Sequence, residues 1–225
     1  MKNKISQIKK GFTLIEMLMV LAIFTILTSV VMYNYAEFNS KTIMSNMAYE
    51  IALTVRQAQV YSLGVRGQAG VESFDNRYGV YFNTNNGGKE FAFFFDVNPP
   101  GEVLESNGWC DGNVGDVNCL VCTLSSGECL EKNTLTRDIF ISKICLSDGI
   151  DPVDDDGSCK ELTNEDDISV TFDRPNPDAR SVVSSGGSDL KKNVGIVVKN
   201  SFGNQRAVII RNTGQISVIM LSDSV

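Results

Sequence analysis

Lys9-Lys10-Gly11-Phe12-Thr13-Leu14-Ile15-Glu16, with the apolar run that follows it to Met32, sets a basic segment, a membrane-length helix and one acid in a fixed order. At about 1.5 Å per residue, the stretch from Phe12 to Met32 reaches roughly 32 Å as a helix, close to the ~30 Å hydrocarbon core of a bilayer. Lys2, Lys4, Lys9 and Lys10 all precede this span, and no acidic residue occurs before Glu16. Positive charge stays on the cytoplasmic side, so the N-terminus is expected there and the bulk of the chain on the opposite side. A secretory signal has a shorter apolar stretch closed by a small-x-small cleavage site. Here Gly11 precedes the stretch and no Ala-x-Ala follows it, so removal after the apolar segment is not expected.

Glu16 is what a plain anchor leaves unexplained. An ionisable group inside a span costs on the order of 2.5 to 3.5 kcal/mol even on the gentler insertion scales. It either snorkels back to the interface from about one turn in, or it has a partner. Lys-Gly-Phe-Thr-Leu-Ile-Glu followed at once by an apolar helix resembles the class III signal of type IV prepilins and pseudopilins. That resemblance implies that a membrane aspartyl peptidase cuts between Gly11 and Phe12, that the new Phe12 amine is N-methylated, and that Glu16 serves assembly. A carboxylate near one helix terminus can pair with the Phe12 amine of a neighbouring subunit as helices stack, satisfying a charge that lipid cannot.

The rest of the composition bounds the remainder. The 225 residues, 43% of them apolar, leave room for one ordinary extracytoplasmic domain beside the anchor. Removal of residues 1–11 strips four Lys and no acid, so the formal charge of −7 becomes about −11. Such a field repels DNA backbones over a Debye length of roughly 8 Å, which disfavours bulk nucleic-acid binding by the domain.

From Asn39 to Leu63 there is neither Pro nor Gly, and Ile43, Met47, Ile51 and Val55 recur every four residues, flanked by Met44, Ala48, Ala52, Ala58 and Gln59. This pattern predicts an amphipathic helix continuing the span, its stripe packed on the sheet of its own domain or, as the lesser alternative, on a partner helix. A single helix from Phe12 to Leu63 would extend about 78 Å, with Gly64 as its terminator. Beyond Gly70 the pattern turns to strands. Tyr78–Phe82 and Glu90–Val97, separated by Asn83-Thr-Asn-Asn-Gly-Gly, predict a hairpin. Further runs are Asp138–Ile144, Ile168–Phe172, Val194–Val198, Arg206–Ile210 and Gln215–Met220, with Gly203-Asn204 and Thr213-Gly214 as turns of a closing antiparallel meander. Several runs are apolar on both faces, so one face should meet the long helix and the other should be partly covered by loops.

The helix end Ile51-Ala-Leu-Thr-Val-Arg-Gln-Ala-Gln-Val-Tyr-Ser, then Ile168-Ser-Val-Thr-Phe-Asp-Arg-Pro, then two Gly-centred hairpins, is similar to the GspH/FimT group of minor pseudopilins and minor pilins. The chain departs from that group in its long Gly64–Asp167 region, which carries all six cysteines, a feature the group does not generally require. Tyr33 also stands where many major pilins carry a helix-loosening Pro.

Cys110, Cys119, Cys122, Cys129, Cys145 and Cys159 lie within fifty residues in a stretch rich in Gly, Asp, Asn and Ser. An even count on the outer side of a membrane favours disulfides, whose pairing spacing does not determine. A thiolate zinc knuckle built on Cys119 and Cys122 with Cys110 and Cys129, or a redox pair, is the alternative. Asp151, Asp154 and Asp156, beside Gly157, invite a calcium reading. The EF-hand phase fails, because it would put Pro152 at the first ligand position and Thr163 at the twelfth. A solvated acidic loop is the plainer reading, although some pseudopilins carry calcium in a β-region loop.

The chain has no His, so Ser-His-Asp and Cys-His nucleophile systems are absent, and no Gly-rich phosphate loop appears. An enzyme is not expected. The expected architecture is α+β and pilin-like: a basic leader over 1–11, a transmembrane helix over 12–32, its amphipathic continuation over 33–63, and a β-rich extracytoplasmic domain over 64–225. Within that domain, 101–167 is expected to be a Cys-rich loop region. The resemblance implies a minor pilin or pseudopilin of a type IV pilus or type II secretion pseudopilus. Its partners would be other pilin or pseudopilin subunits, the prepilin peptidase, the assembly platform and the membrane. The alternatives are a filament-presented binding module, either an adhesin or a DNA-uptake receptor, and an anchored domain that never assembles.

Overall fold

The computed structural model describes residues 11–64, 77–84, 87–96, 129–148, 153, 160–161, 167–172, 175, 177–183 and 192–221. One helix, α1 (Leu14–Leu63), runs through the predicted span and its continuation and passes Tyr33 without a break. It begins two residues later than Phe12, and Gly64 closes it by donating its N–H to the Val60 carbonyl at 2.9 Å. The chain divides into two compact units, up to Lys41 and from Thr42.

In the first unit α1 has no inner side. Every large apolar residue from Leu14 to Met32 is more than half exposed, and one window of the helix has a mean hydropathy of 2.4. Length and composition suit a bilayer, where lipid would cover all faces alike. The hydroxyls within the apolar stretch donate back into the helix, Thr25 to the Ala22 carbonyl (2.9 Å), Thr28 to Phe24 (2.8 Å) and Ser29 to Thr25 (2.9 Å). Three polar side chains are thereby satisfied without a partner outside the helix.

From Thr42 onward the helix acquires an inner side. Met44, Ala48, Ile51, Val55 and Ala58 are almost fully buried, while Ile43 and Met47 are only partly so. A strict four-residue repeat drifts about 40° per step around a helix of 3.6 residues per turn; alternating steps of four and three holds one face. The buried stripe therefore follows 44-48-51-55-58, and the simple repeat through Ile43 and Met47 runs off its edge.

Ten strands follow among the described residues: β1 (Arg77–Phe82), β2 (Glu90–Asp96), β3 (Cys129–Thr134), β4 (Phe140–Ser147), β5 (Lys160–Glu161), β6 (Ile168–Phe172), β7 (Ala179–Val183), β8 (Asn193–Lys199), β9 (Gln205–Ile210) and β10 (Ile216–Leu221). They form two antiparallel five-stranded sheets, ordered β3-β2-β1-β6-β7 and β10-β9-β8-β4-β5. The expected α+β architecture is observed, with two sheets where one was read. The β1–β2 hairpin and the β8-β9-β10 meander pair as anticipated. The region 101–167 is not simply loop, since it holds β3, β4 and β5; residues 101–128 lie outside the described residues.

Inner-face residues of both sheets join the α1 stripe in one cluster. Val80, Phe82, Phe91, Phe93, Ile168, Val170 and Phe172 come from the first sheet, and Ile144, Val194, Ile196, Val198, Val208 and Ile210 from the second. In β4, a register shift between Ile141 and Lys143 lets Ile141 and Ile144 face the same core despite their odd spacing. The outer faces carry smaller clusters. Tyr81, Ala92 and Phe94 lie on the first sheet, and Val197, Ala207 and Ile209 on the second, where Val153 from the connection after β4 covers them.

Polar side chains at the end of α1 fasten it to the sheets. Ser62 Oγ accepts the Tyr78 N–H at 2.9 Å, and Gln59 Nε2 donates to the Gly214 and Pro177 carbonyls at 2.8 and 3.1 Å. Gly214 has φ +79° in the β9–β10 turn, and a Cβ there would press on the Pro177 carbonyl and on Gln59. Gln59→Ala strips both carbonyls of their donor and is expected to cost about 2 kcal/mol; Gly214→Ala should cost a similar amount through strain and clash. Thermal unfolding of the full chain in detergent checks both, and an unchanged melting temperature in either variant contradicts this tie.

Candidate functional site

Thr13 caps α1. Its side chain accepts the Glu16 N–H at 3.3 Å, while Glu16 Oε2 accepts both the Thr13 N–H and the Thr13 hydroxyl at 2.9 Å. Thr13-Leu-Ile-Glu16 is thus a capping box, in which each side chain accepts the orphan backbone N–H of the other residue. The signal was readable as Thr-x-x-Glu before an apolar run, and reading Glu16 only as a membrane acid missed it. The carboxylate also sits at the helix end where partial positive charge gathers. All three bonds leave Glu16 Oε1 without a hydrogen bond among the described residues.

The flanking residues stand clear of the chain. Phe12 is 85% exposed, and a side chain at Gly11 would meet nothing within 4 Å. Among the described residues, then, nothing packs so closely on Gly11 as to demand a small residue there.

The other expected site residues are only partly visible. Cys129 starts β3 and packs against Tyr81, Ala92 and Phe94; Cys145 is fully buried in β4, opposite Gly195 and Glu161. Neither is a free thiol. Cys110, Cys119, Cys122 and Cys159 lie outside the described residues, as do Asp151, Asp154 and Asp156. Asp148, before the acidic segment, pairs with Lys192 at 3.3 Å, and Val153, between Asp151 and Asp154 in sequence, is buried. Among the described residues no group of three or more His, Cys, Asp or Glu side chains is placed to hold a metal.

One buried polar group was not anticipated. Tyr81 donates its hydroxyl to Asp167 at 2.5 Å and accepts from Asn83 at 3.2 Å. Burial first, then the Asp167 carboxylate, raises its pKa far above the usual phenol range, so it remains a neutral donor. It braces β1 to the start of β6.

Residues 7–32 match the family model described as the prokaryotic N-terminal methylation motif. That motif indicates a precursor of type IV pilin or pseudopilin kind, a class of structural subunits, and with the apolar helix it fits membrane anchoring of the precursor. The match covers the signal segment alone. No curated protein and no solved structure matches the chain, and nothing in these comparisons supports the narrower GspH/FimT resemblance.

Removing the cap hydroxyl tests the box. Thr13→Val is expected to speed amide exchange over the first turn of α1 by about fivefold, equivalent to roughly 1 kcal/mol, while membrane insertion is retained. Unchanged exchange in detergent micelles would show that the hydroxyl contributes nothing.

Proposed function

We propose that the chain is a minor pilin or pseudopilin, cut between Gly11 and Phe12, N-methylated at Phe12, and assembled from the membrane into a type IV pilus or type II secretion pseudopilus. The observation that carries this reading is the methylation motif over residues 7–32, continuous with a helix that is apolar all round and then buries one stripe in a β-domain. Glu16 is the assembly residue. The cap holds its carboxylate at the start of the helix, and Oε1 is left to take the Phe12 amine of a neighbour. Gly11 suits a peptidase's need for a small residue, since no contact among the described residues requires one.

Order in the chain supports the minor GspH/FimT type: β6 and then the β8-β9-β10 meander follow the long helix. The six cysteines form three disulfides that brace the segment between β2 and β6. The absence of a free thiol at Cys129 and Cys145 supports that framework. Cross-links of this kind typically contribute 2 to 4 kcal/mol each where apolar residues are few.

Glu16→Ala should enter the membrane normally and fail to join filaments. N-terminal sequencing of the wild-type mature chain should begin at Phe12. Normal incorporation of Glu16→Ala refutes the assembly role. For the cysteines, intact mass of unreduced mature protein should show no free thiol, and a count of six would dispose of the disulfide framework.

A further inference from the structure

Each sheet has two edges, and the four edge strands are not alike. β5 is two residues long and both are charged. β3 carries Glu131 and Lys132 and shifts register against β2 between Phe93 and Phe94. β7 follows Pro175 and Pro177, and four of its five residues are buried. Shortness, charge, irregular register, proline and cover are how edge strands avoid pairing with other chains. β10, Ile216-Ser-Val-Ile-Met-Leu221, has none of these: it is uncharged, keeps register with β9 throughout, and leaves Met220 74% exposed.

Its backbone phase can be read. The Arg211 N–H donates to the Gln215 carbonyl at 2.8 Å, so this is a bonded pair of the β9–β10 ladder. Bonded and unbonded pairs alternate, which turns the N–H and C=O groups of Ile216, Val218 and Met220 away from β9. Among the described residues no strand takes up that edge. Beneath it, Ile216 and Val218 line a groove of about 380 Å³ with Tyr49, Leu53 and Arg56 of α1. Tyr49 and Leu53 are 53% and 68% exposed, on the side of the helix that the sheets do not cover.

Open backbone groups above an apolar groove make a strand-addition site. We infer that β10 receives an extended segment of a different protein, paired antiparallel to it. The occupant carries apolar residues at alternate positions, facing Leu53 and Val218, and a carboxylate at the end that meets Arg56. Among the described residues Arg56 is the one charged side chain lining the groove; it donates to Gln59 Oε1 at 2.6 Å and is otherwise exposed, so an acid there is matched and a base repelled. A second copy is a poor occupant, because β10, Ile216–Leu221, carries no carboxylate to meet Arg56. The inference rests on neither the processing nor the assembly of the chain.

The test places p-benzoylphenylalanine at Leu53 of the full chain in the membranes of the producing cell and maps the cross-link to residue level. The expected adduct lies in a stretch of another protein with alternating apolar residues and an Asp or Glu near the Arg56 end. Met220→Pro removes one outward N–H without touching the β9 ladder, and should lower the adduct about tenfold, a change of roughly 1.4 kcal/mol. Met220→Thr should preserve the adduct. Arg56→Glu, on an exposed helix face, should also lower it and serves if Met220→Pro does not accumulate. An adduct on this chain itself, no adduct, or undiminished yield in Met220→Pro and Arg56→Glu overturns the inference. Glu16→Ala should leave the adduct intact, so failure of filament assembly and failure of strand addition are read separately.

Discussion

The burial of one helical stripe, Met44-Ala48-Ile51-Val55-Ala58, is the contact on which the β-domain depends. Both five-stranded sheets send their inner faces to it. Without the helix, the inner rows of β1, β2 and β6 and of β8 and β9 would expose a large aromatic and β-branched surface to water. Two members of the stripe are alanines, which let strands approach the helix closely while Ile51 and Val55 supply volume. The same helix has no such stripe before Met32, where every large apolar side chain is exposed. A single helix thus carries two kinds of surface, and the change from all-round to one-sided apolar patterning is what separates them.

The end of α1 meets a different problem, because the chain must leave the helix and enter a sheet with its backbone groups paired. Ser62 takes the first amide of β1's buried portion, and Gln59 takes two carbonyls from the segments before β7 and before β10. Both belong to the buried face, so polar side chains continue a stripe begun by apolar ones. This lock also positions the β9–β10 turn, and through it the edge strand whose backbone groups point outward beside Tyr49 and Leu53. The helix serves as core on one side and as the wall of a groove on the other.

The long apolar run, the Gly64 stop and the strands with strong alternation or continuous apolarity were legible because each carries its own local signal. β1, β2, β6, β8, β9 and β10 are of that kind. β3, with the sequence Cys-Leu-Glu-Lys-Asn-Thr, was not, because an exposed edge strand buries almost nothing and so shows no hydrophobic period. β7 hid behind Pro175 and Pro177, which read as loop. The division into two sheets is a long-range property: β4 pairs with β8 across about fifty residues, and no short window records that choice. At the terminus, the methylation motif was legible from Lys10-Gly-Phe-Thr-Leu-Ile-Glu16 and the apolar run behind it. The hydrogen bonding of Glu16 required seeing Thr13 as a cap.

That cap changes how an acid in a membrane helix is to be understood. A carboxylate free to rotate through its rotamers would lose about 1 to 2 kcal/mol of entropy on being captured by a cation, besides the desolvation of both charges. Glu16 has already lost that freedom, because two donors of Thr13 hold Oε2. Those donors also supply part of the hydration the carboxylate gives up in an apolar setting, so its burial costs less before any partner arrives. The remaining oxygen then faces its surroundings from a fixed position at the start of the helix. A cation approaching along the helix axis gains a preorganised partner and not a flexible one. The short side chain of Thr13 therefore fixes the acid it holds, and the methylation motif contains both within a single turn of helix.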